Sequence, residues 1–213
     1  IVSEPGIYKF QPTKGCSKES VGNIETSNVL WKSFGTSIVP AKEELINIAC
    51  FKDGYIAFEV PGDFKEGNAV IAAKDANGSV LWSWHIWLTD KPEEQTYFNN
   101  AGTMMDRNLG ATSATPGDVG ALGLLYQWGR KDPFLGSSST GSAKAAAAMH
   151  GNWQNVQSNS ATGTIAYTIA HPTIFVYQNT ANNDWYYSSS SATDNTRWTA
   201  SDKEKSIYDP CPA

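Results

Sequence analysis

The stretch Asn182-Asn183-Asp184-Trp185-Tyr186-Tyr187, with Trp198 following it, sets aromatic rings beside amides and a carboxylate. Rings stack on the apolar face of a sugar, while Asn and Asp hydrogen-bond its hydroxyls. Asn183, Asp184, Trp185, Tyr186, Tyr187 and Trp198 are therefore candidate ligand-binding residues. The competing reading is that these rings cover a core beneath a long loop. Trp153, flanked by Asn152, Gln154 and Asn155, carries the same chemistry in a shorter stretch and suits packing equally. Asp184, Asn182, Asn183 and Asp194 offer the oxygen ligands that calcium prefers. The loop has no Glu, and no EF-hand spacing occurs. No cofactor and no metal are expected, and calcium is the one ion this inventory admits.

Two further clusters have an everyday explanation beside a chemical one. Trp82, Trp84 and Trp87 with His85 form either an aromatic platform or core between two layers, with His85 hydrogen-bonded inside that packing. Asp106-Arg107-Asn108 places a carboxylate beside a guanidinium, which suits an acid–base site or a turn whose side chains bond the backbone. The inventory argues against catalysis. His85, His150 and His171 have no Gly-x-Ser-x-Gly near them. Neither Gly-x-Gly-x-x-Gly nor a Walker motif occurs. The chain is expected not to be an enzyme.

Composition bounds the rest. The 213 residues carry a net charge of −5, only 17% charged residues and 12% aromatics. Nucleic-acid affinity comes from clustered Lys and Arg that neutralise phosphate, and no such cluster exists. No apolar run approaches the roughly 20 residues that span a bilayer as a helix. Ile1-Val2-Ser3-Glu4 does not look like a signal peptide and is expected to be an interior start. Cys16, Cys50 and Cys211 leave one thiol over. Whether Cys16 and Cys50 pair stays open.

The elements that must position these residues read as mainly β. Gly6–Phe10 alternates apolar and polar, and Asp53-Gly54 turns into the strand Tyr55–Val60. Asp75-Ala76-Asn77-Gly78 between two apolar runs is a hairpin signal, because Asn and Gly tolerate positive φ. The second arm, Leu81–Leu88, is apolar on both faces. It is expected to be a central strand or one covered by further chain. These strands predict an N-terminal β-sandwich over residues 1–90, followed by a Pro-containing linker over 91–95 and a second domain over 96–213. Within the latter, 103–110 reads as a strand entering a turn. The apolar spacing of 118–129 predicts a helix stopped by Asp132-Pro133. Residues 136–165 read as a long surface loop, 165–177 as strand broken at His171-Pro172, and 178–203 as a polar loop with aromatics.

Met105-Asp106-Arg107-Asn108-Leu109-Gly110-Ala111, the run from Gly123 to Phe134 and Lys205-Ser206-Ile207-Tyr208-Asp209-Pro210-Cys211-Pro212 resemble the C-terminal module of fimbrillin-like surface lipoproteins of Bacteroidetes. That module is related to the Fibrobacter major paralogous domain. The segments Gly67–Asp75 and Leu81–Trp87 are similar to what precedes it in such proteins. Beside the Ig-like sandwich that the N-terminal strands predict, the resemblance implies a C-type-lectin-like α+β domain cut short at Ala213, where the family's chain continues past Asp209-Pro210-Cys211-Pro212. It also implies that the partner of Cys211 lies on that further chain. Export to the bacterial outer-membrane surface or beyond it follows from the same likeness. The expected task is adhesion to a glycan or a host surface protein. The alternative is a structural pilus or surface-assembly subunit docking on its fellows by strand addition.

Overall fold

The computed structural model describes residues 1–135, 151, 153–178, 184–188, 196–201 and 204–211. Its first strands are β1 (Gly6–Phe10), β2 (Thr26–Ser33), β3 (Ala49–Lys52), β4 (Tyr55–Val60), β5 (Gly67–Lys74) and β6 (Val80–Leu88). They form two antiparallel three-stranded sheets, ordered β1-β4-β3 and β2-β5-β6. The hairpin expected at Asp75–Gly78 joins β5 to β6. Asp75 Oδ1 accepts from the amides of Asn77 and Ser79, each at 2.9 Å, and Gly78 takes φ 79°.

Both sheets feed one core. Ile56, Phe58 and Val60 of β4 pack with Ala69, Ile71 and Ala73 of β5 and with Trp82, Ile86 and Leu88 of β6. Trp84 joins this face and donates its indole N–H to Thr13 O at 3.0 Å. A buried cation ties down the next loop. Lys32, 2% exposed, sends Nζ among the carbonyls of Ala41, Lys42, Glu44 and Ile46 at 2.5–3.1 Å.

Side chains alternate along a strand, so Asn68, Val70, Ser83, His85 and Trp87 point from the opposite face. β6 lies at the margin of its sheet. Its two-sided apolar pattern therefore reflects cover by residues 109–135 and not a central place in the sheet. Asn68 Nδ2 donates to Gly110 O at 2.8 Å and Trp87 Nε1 donates to Ala111 O at 3.0 Å. Because the Asn68 amide nitrogen is spent on Gly110, its oxygen receives the proton of His85 Nε2 at 2.8 Å. That leaves His85 Nδ1 to accept the Tyr126 hydroxyl proton at 3.3 Å. The ring is held neutral, and burial pushes its pKa down to about 3. Beside it, Ser83 Oγ donates to Asp132 Oδ1 and accepts from Lys131 Nζ, both at 2.5 Å.

The remaining strands are short: β7 (Glu94–Thr96), β8 (Thr103–Met105), β9 (Leu124–Tyr126), β10 (Pro133–Leu135), β11 (Gln154–Gln157), β12 (Ile174–Tyr177), β13 (Thr199–Ser201) and β14 (Glu204–Lys205). Four differences from the sequence reading have local causes. Part of the expected linker, Glu94-Gln95, pairs in β7 with β8. The expected helix over 118–129 is one 3-10 turn, Val119–Leu122, capped by the Asp118 side chain. Gly123 ends it at φ 67°, ψ −153°, where a Cβ would meet Leu109 O at 2.7 Å. The chain then turns into β9, which pairs with β10.

The third difference is at Ile165–Ala170, expected as strand, which is the helix α1, capped by Thr164 Oγ1 accepting from the Tyr167 amide at 3.1 Å. β11 and β12 pair in parallel, and parallel partners need a crossover, which α1 supplies. The fourth is β13, which falls within the expected polar loop and pairs with β14. Cys16, Cys50 and Cys211 are exposed free thiols.

His85 makes stability depend on pH with a definite sign. Its folded pKa lies below the unfolded value near 6.5, so the unfolded chain takes up a proton that the folded chain refuses. Stability is full above about pH 6.5 and falls toward pH 3, with a slope approaching 1.4 kcal/mol per pH unit. Urea titrations from neutral to mildly acidic pH should show a steeper loss in the wild type than in His85→Gln. Identical profiles would rule out the buried neutral imidazole.

Candidate functional site

The turn between β9 and β10 projects a ring outward. Gly129 takes φ 82°, and Trp128 just before it is 43% exposed. Across from it Tyr177, the last residue of β12, is 44% exposed. Between them opens a cavity of about 500 Å³ lined by Gln127, Trp128, Phe175, Val176, Tyr177, Gln178, Asp184 and Trp185. Two exposed rings thus border a groove containing two side-chain amides and a carboxylate.

The walls are tied to main-chain carbonyls of the turn. Trp128 O accepts the Trp185 indole N–H at 2.7 Å and Arg197 Nε at 3.2 Å. Arg130 O accepts the Trp198 indole N–H at 3.3 Å, and the Trp128 and Trp198 rings lie 4.4 Å apart. Gln127 Nε2 donates to Val176 O at 2.7 Å, locking β9 to β12. Arg130, 2% exposed, completes the lock by donating to Gln127 Oε1, Ile174 O and His171 O at 2.7–2.9 Å. Burial pushes its pKa down to about 10. Arg197 Nη2 donates to Asp184 Oδ2 at 2.6 Å, and the guanidinium carbon sits 5.7 Å from the Trp185 ring centre and 5.2 Å from that of Tyr186.

The residues singled out in the sequence fall in different places. Asp184 and Trp185 line the groove. Trp185, however, is only 5% exposed and contributes to the floor; a stacking face belongs to Trp128 and Tyr177 instead. Tyr186 is half-buried against Arg197, Tyr187 is 38% exposed outside the lining set, and Trp198 backs Trp128. Trp153 packs 5.5 Å from Trp31 and 4.7 Å from Phe134, away from the groove. Asn183, with Asn182, Asn152 and Asp194, lies outside the described residues.

Of the oxygen set considered for calcium, only Asp184 is among the described residues, and its Oδ2 accepts from Arg197. Among the described residues, no three acidic, His or Cys side chains gather as a metal site. Arg107 pairs with Asp106 and Asp90 at 2.9 and 2.5 Å, and Asn108 Nδ2 donates to Ala121 O at 3.1 Å.

Sequence reasoning missed Trp128, Tyr177, Gln127 and Gln178 because 118–129 resembled a helix face and 174–177 a strand. The one local signal was Trp128-Gly129, an aromatic held at a turn that needs glycine. No family model, no curated protein and no solved structure matches this chain.

Gly129 is where the turn and the wall meet. A Cβ there would lie 2.3 Å from Arg197 Cβ, in a backbone region that costs non-glycine residues about 1–3 kcal/mol. Gly129→Ala should lower thermal stability by at least that amount. It should also change the near-ultraviolet circular dichroism of the Trp128–Trp185–Trp198 cluster. An unchanged spectrum would contradict this packing.

Proposed function

We propose that this chain is a cell-surface binding module that recognises glycan through the groove between Trp128 and Tyr177. The observation that carries the reading is the pair of exposed rings facing a carboxylate and amides over a cavity of about 500 Å³. Stacking on the rings supplies apolar contact, and the Gln178 amide and the Asp184 carboxylate are of the type that hydrogen-bonds hydroxyls, while the Gln127 amide is spent on Val176 O and Arg130. The walls are held by hydrogen bonds within the protein, so little ordering is required when a ligand arrives.

On this proposal the chain is a fimbrillin-like surface protein, displayed on or beyond the bacterial outer membrane. The N-terminal sheets are an Ig-like sandwich, and residues 96–213 are a C-type-lectin-like module. Its sequence likeness supports this assignment. The mainly β architecture is compatible with it, and the resembling residues Asp106, Arg107, Arg130, Lys131 and Asp132 all make structural contacts. Glycan carried by a host surface protein is the partner this module would meet.

A structural assembly role has one observation in its favour. β2 and β3 are outermost strands of their sheets. A cavity of about 310 Å³ lies along them, lined by Asn28, Val29 and Leu30 on one side and by Asn47, Ile48 and Ala49 on the other. Sedimentation at rising concentration decides this reading: growth in size supports strand addition, and a constant monomer removes it.

The glycan reading is tested on an array of neutral and acidic oligosaccharides, followed by calorimetry on the strongest hit. Trp128→Ala and Tyr177→Ala should each weaken binding about tenfold, the equivalent of 1.4 kcal/mol, with melting temperature little changed. Array binding indifferent to both substitutions would place the ligand elsewhere.

A further inference from the structure

We infer that the groove selects uncharged sugars and rejects carboxylated or sulfated ones. This rests on the glycan reading given above. Two independent observations support it. First, among the described residues that line the groove, Asp184 is the only formally charged one. Two described cations touch the lining residues and both are engaged: Arg197, its side chain 5% exposed, donates Nη2 to Asp184 Oδ2 at 2.6 Å and Nε to Trp128 O at 3.2 Å, and Arg130, 2% exposed, donates to Gln127 Oε1, Ile174 O and His171 O. The Arg197 guanidinium also lies over Trp185 and Tyr186.

Second, the stretch of sequence that supplies Phe175, Tyr177, Gln178, Asp184 and Trp185 brings no cation of its own. From Thr173 to Thr196 the sequence contains Asp184 and Asp194 but no Lys, Arg or His. Recognition of an anionic sugar depends on an accessible Arg or Lys fork. An anion entering here would find Arg197 already paired with Asp184, in a chain of net charge −5, so no ion pair offsets the cost of stripping water from its charge. A cationic sugar gains little in turn, because the Asp184 charge is neutralised by Arg197. The ligand class left is a neutral hexose or N-acetylhexosamine, bound by ring stacking and hydroxyl or amide hydrogen bonds. Arg197 is thus a positioning residue that also sets the charge of the site.

The experiment compares matched neutral, sialylated, sulfated and free-amine oligosaccharides on the array. It is repeated with Trp128→Ala and with Asp184→Asn. Neutral sugars should bind in a Trp128-dependent way, changing less than about twofold between about 50 and about 500 mM salt, since no ion pair forms to be screened. Asp184→Asn leaves the Arg197 charge uncompensated and should raise affinity for sialylated sugars relative to neutral ones by about tenfold or more. The salt dependence of the wild type is the second measurement and does not need that variant to fold. Trp128-dependent preference for acidic or amine sugars overturns the charge inference and leaves the glycan reading standing. Absence of binding to every class overturns both.

Discussion

The hairpin of β5 and β6 has two faces that must both be dry, and the rest of the molecule is arranged around that requirement. Residues 67–73 of β5 are all buried, so a single opposing sheet cannot satisfy the hairpin. The N-terminal sheet β1-β4-β3 covers one side with aliphatic and aromatic contacts, which are tolerant of small shifts. The other side is covered through directional bonds. Asn68, Ser83, His85 and Trp87 each have a partner in 110–132. A buried polar group without a partner costs about 1–3 kcal/mol, so these contacts admit one placement of the covering chain. Asn68 is their pivot, since its amide bonds Gly110 and its oxygen sets the His85 tautomer.

That single placement fixes the groove. Tyr126, Lys131 and Asp132 are anchored on the hairpin, and Arg130 is anchored to the α1–β12 segment. The residues between them, Trp128 and Gly129, are thus tied to the core on both sides. Their carbonyl neighbourhood then recruits Trp185, Arg197 and Trp198 by three donors from later in the chain. The charged run Arg130-Lys131-Asp132 is held in internal contacts, and Trp128 just before it is left 43% exposed. The C-terminal segment closes against the first core: Tyr208 lies 6.2 Å from Trp82, and the backbone of Ile207 leaves Gly15 no room for a side chain.

Period-2 patterning and turn chemistry were enough to read β1, β4 and the β5–β6 hairpin from sequence, because those signals are local. The two-sided apolar pattern of Leu81–Leu88 was also legible as a strand covered on both faces. The helix expected over 118–129 failed because its apolar spacing is produced by a 3-10 turn followed by a strand, with Gly123 in a conformation no helix contains. Ile165–Ala170 was misread for the opposite reason. Its β-branched and aromatic residues suit a strand, but a capped start at Thr164 and the parallel pairing of β11 with β12 make it the crossover helix.

The candidate site divides along the same line. The residue types by themselves offered aromatic rings, amides and a carboxylate as a candidate binding chemistry. They also marked Asp184 and Trp185. Which rings face outward was decided only by tertiary structure. Trp185 is drawn inward because its indole N–H finds the Trp128 carbonyl at 2.7 Å, an acceptor 57 positions earlier in the chain. Trp128 and Tyr177 stay outside because their neighbours, Gln127 with Arg130 and Val176, fill the space behind them. Exposure is a property of what else has already occupied the interior, and no local pattern encodes it.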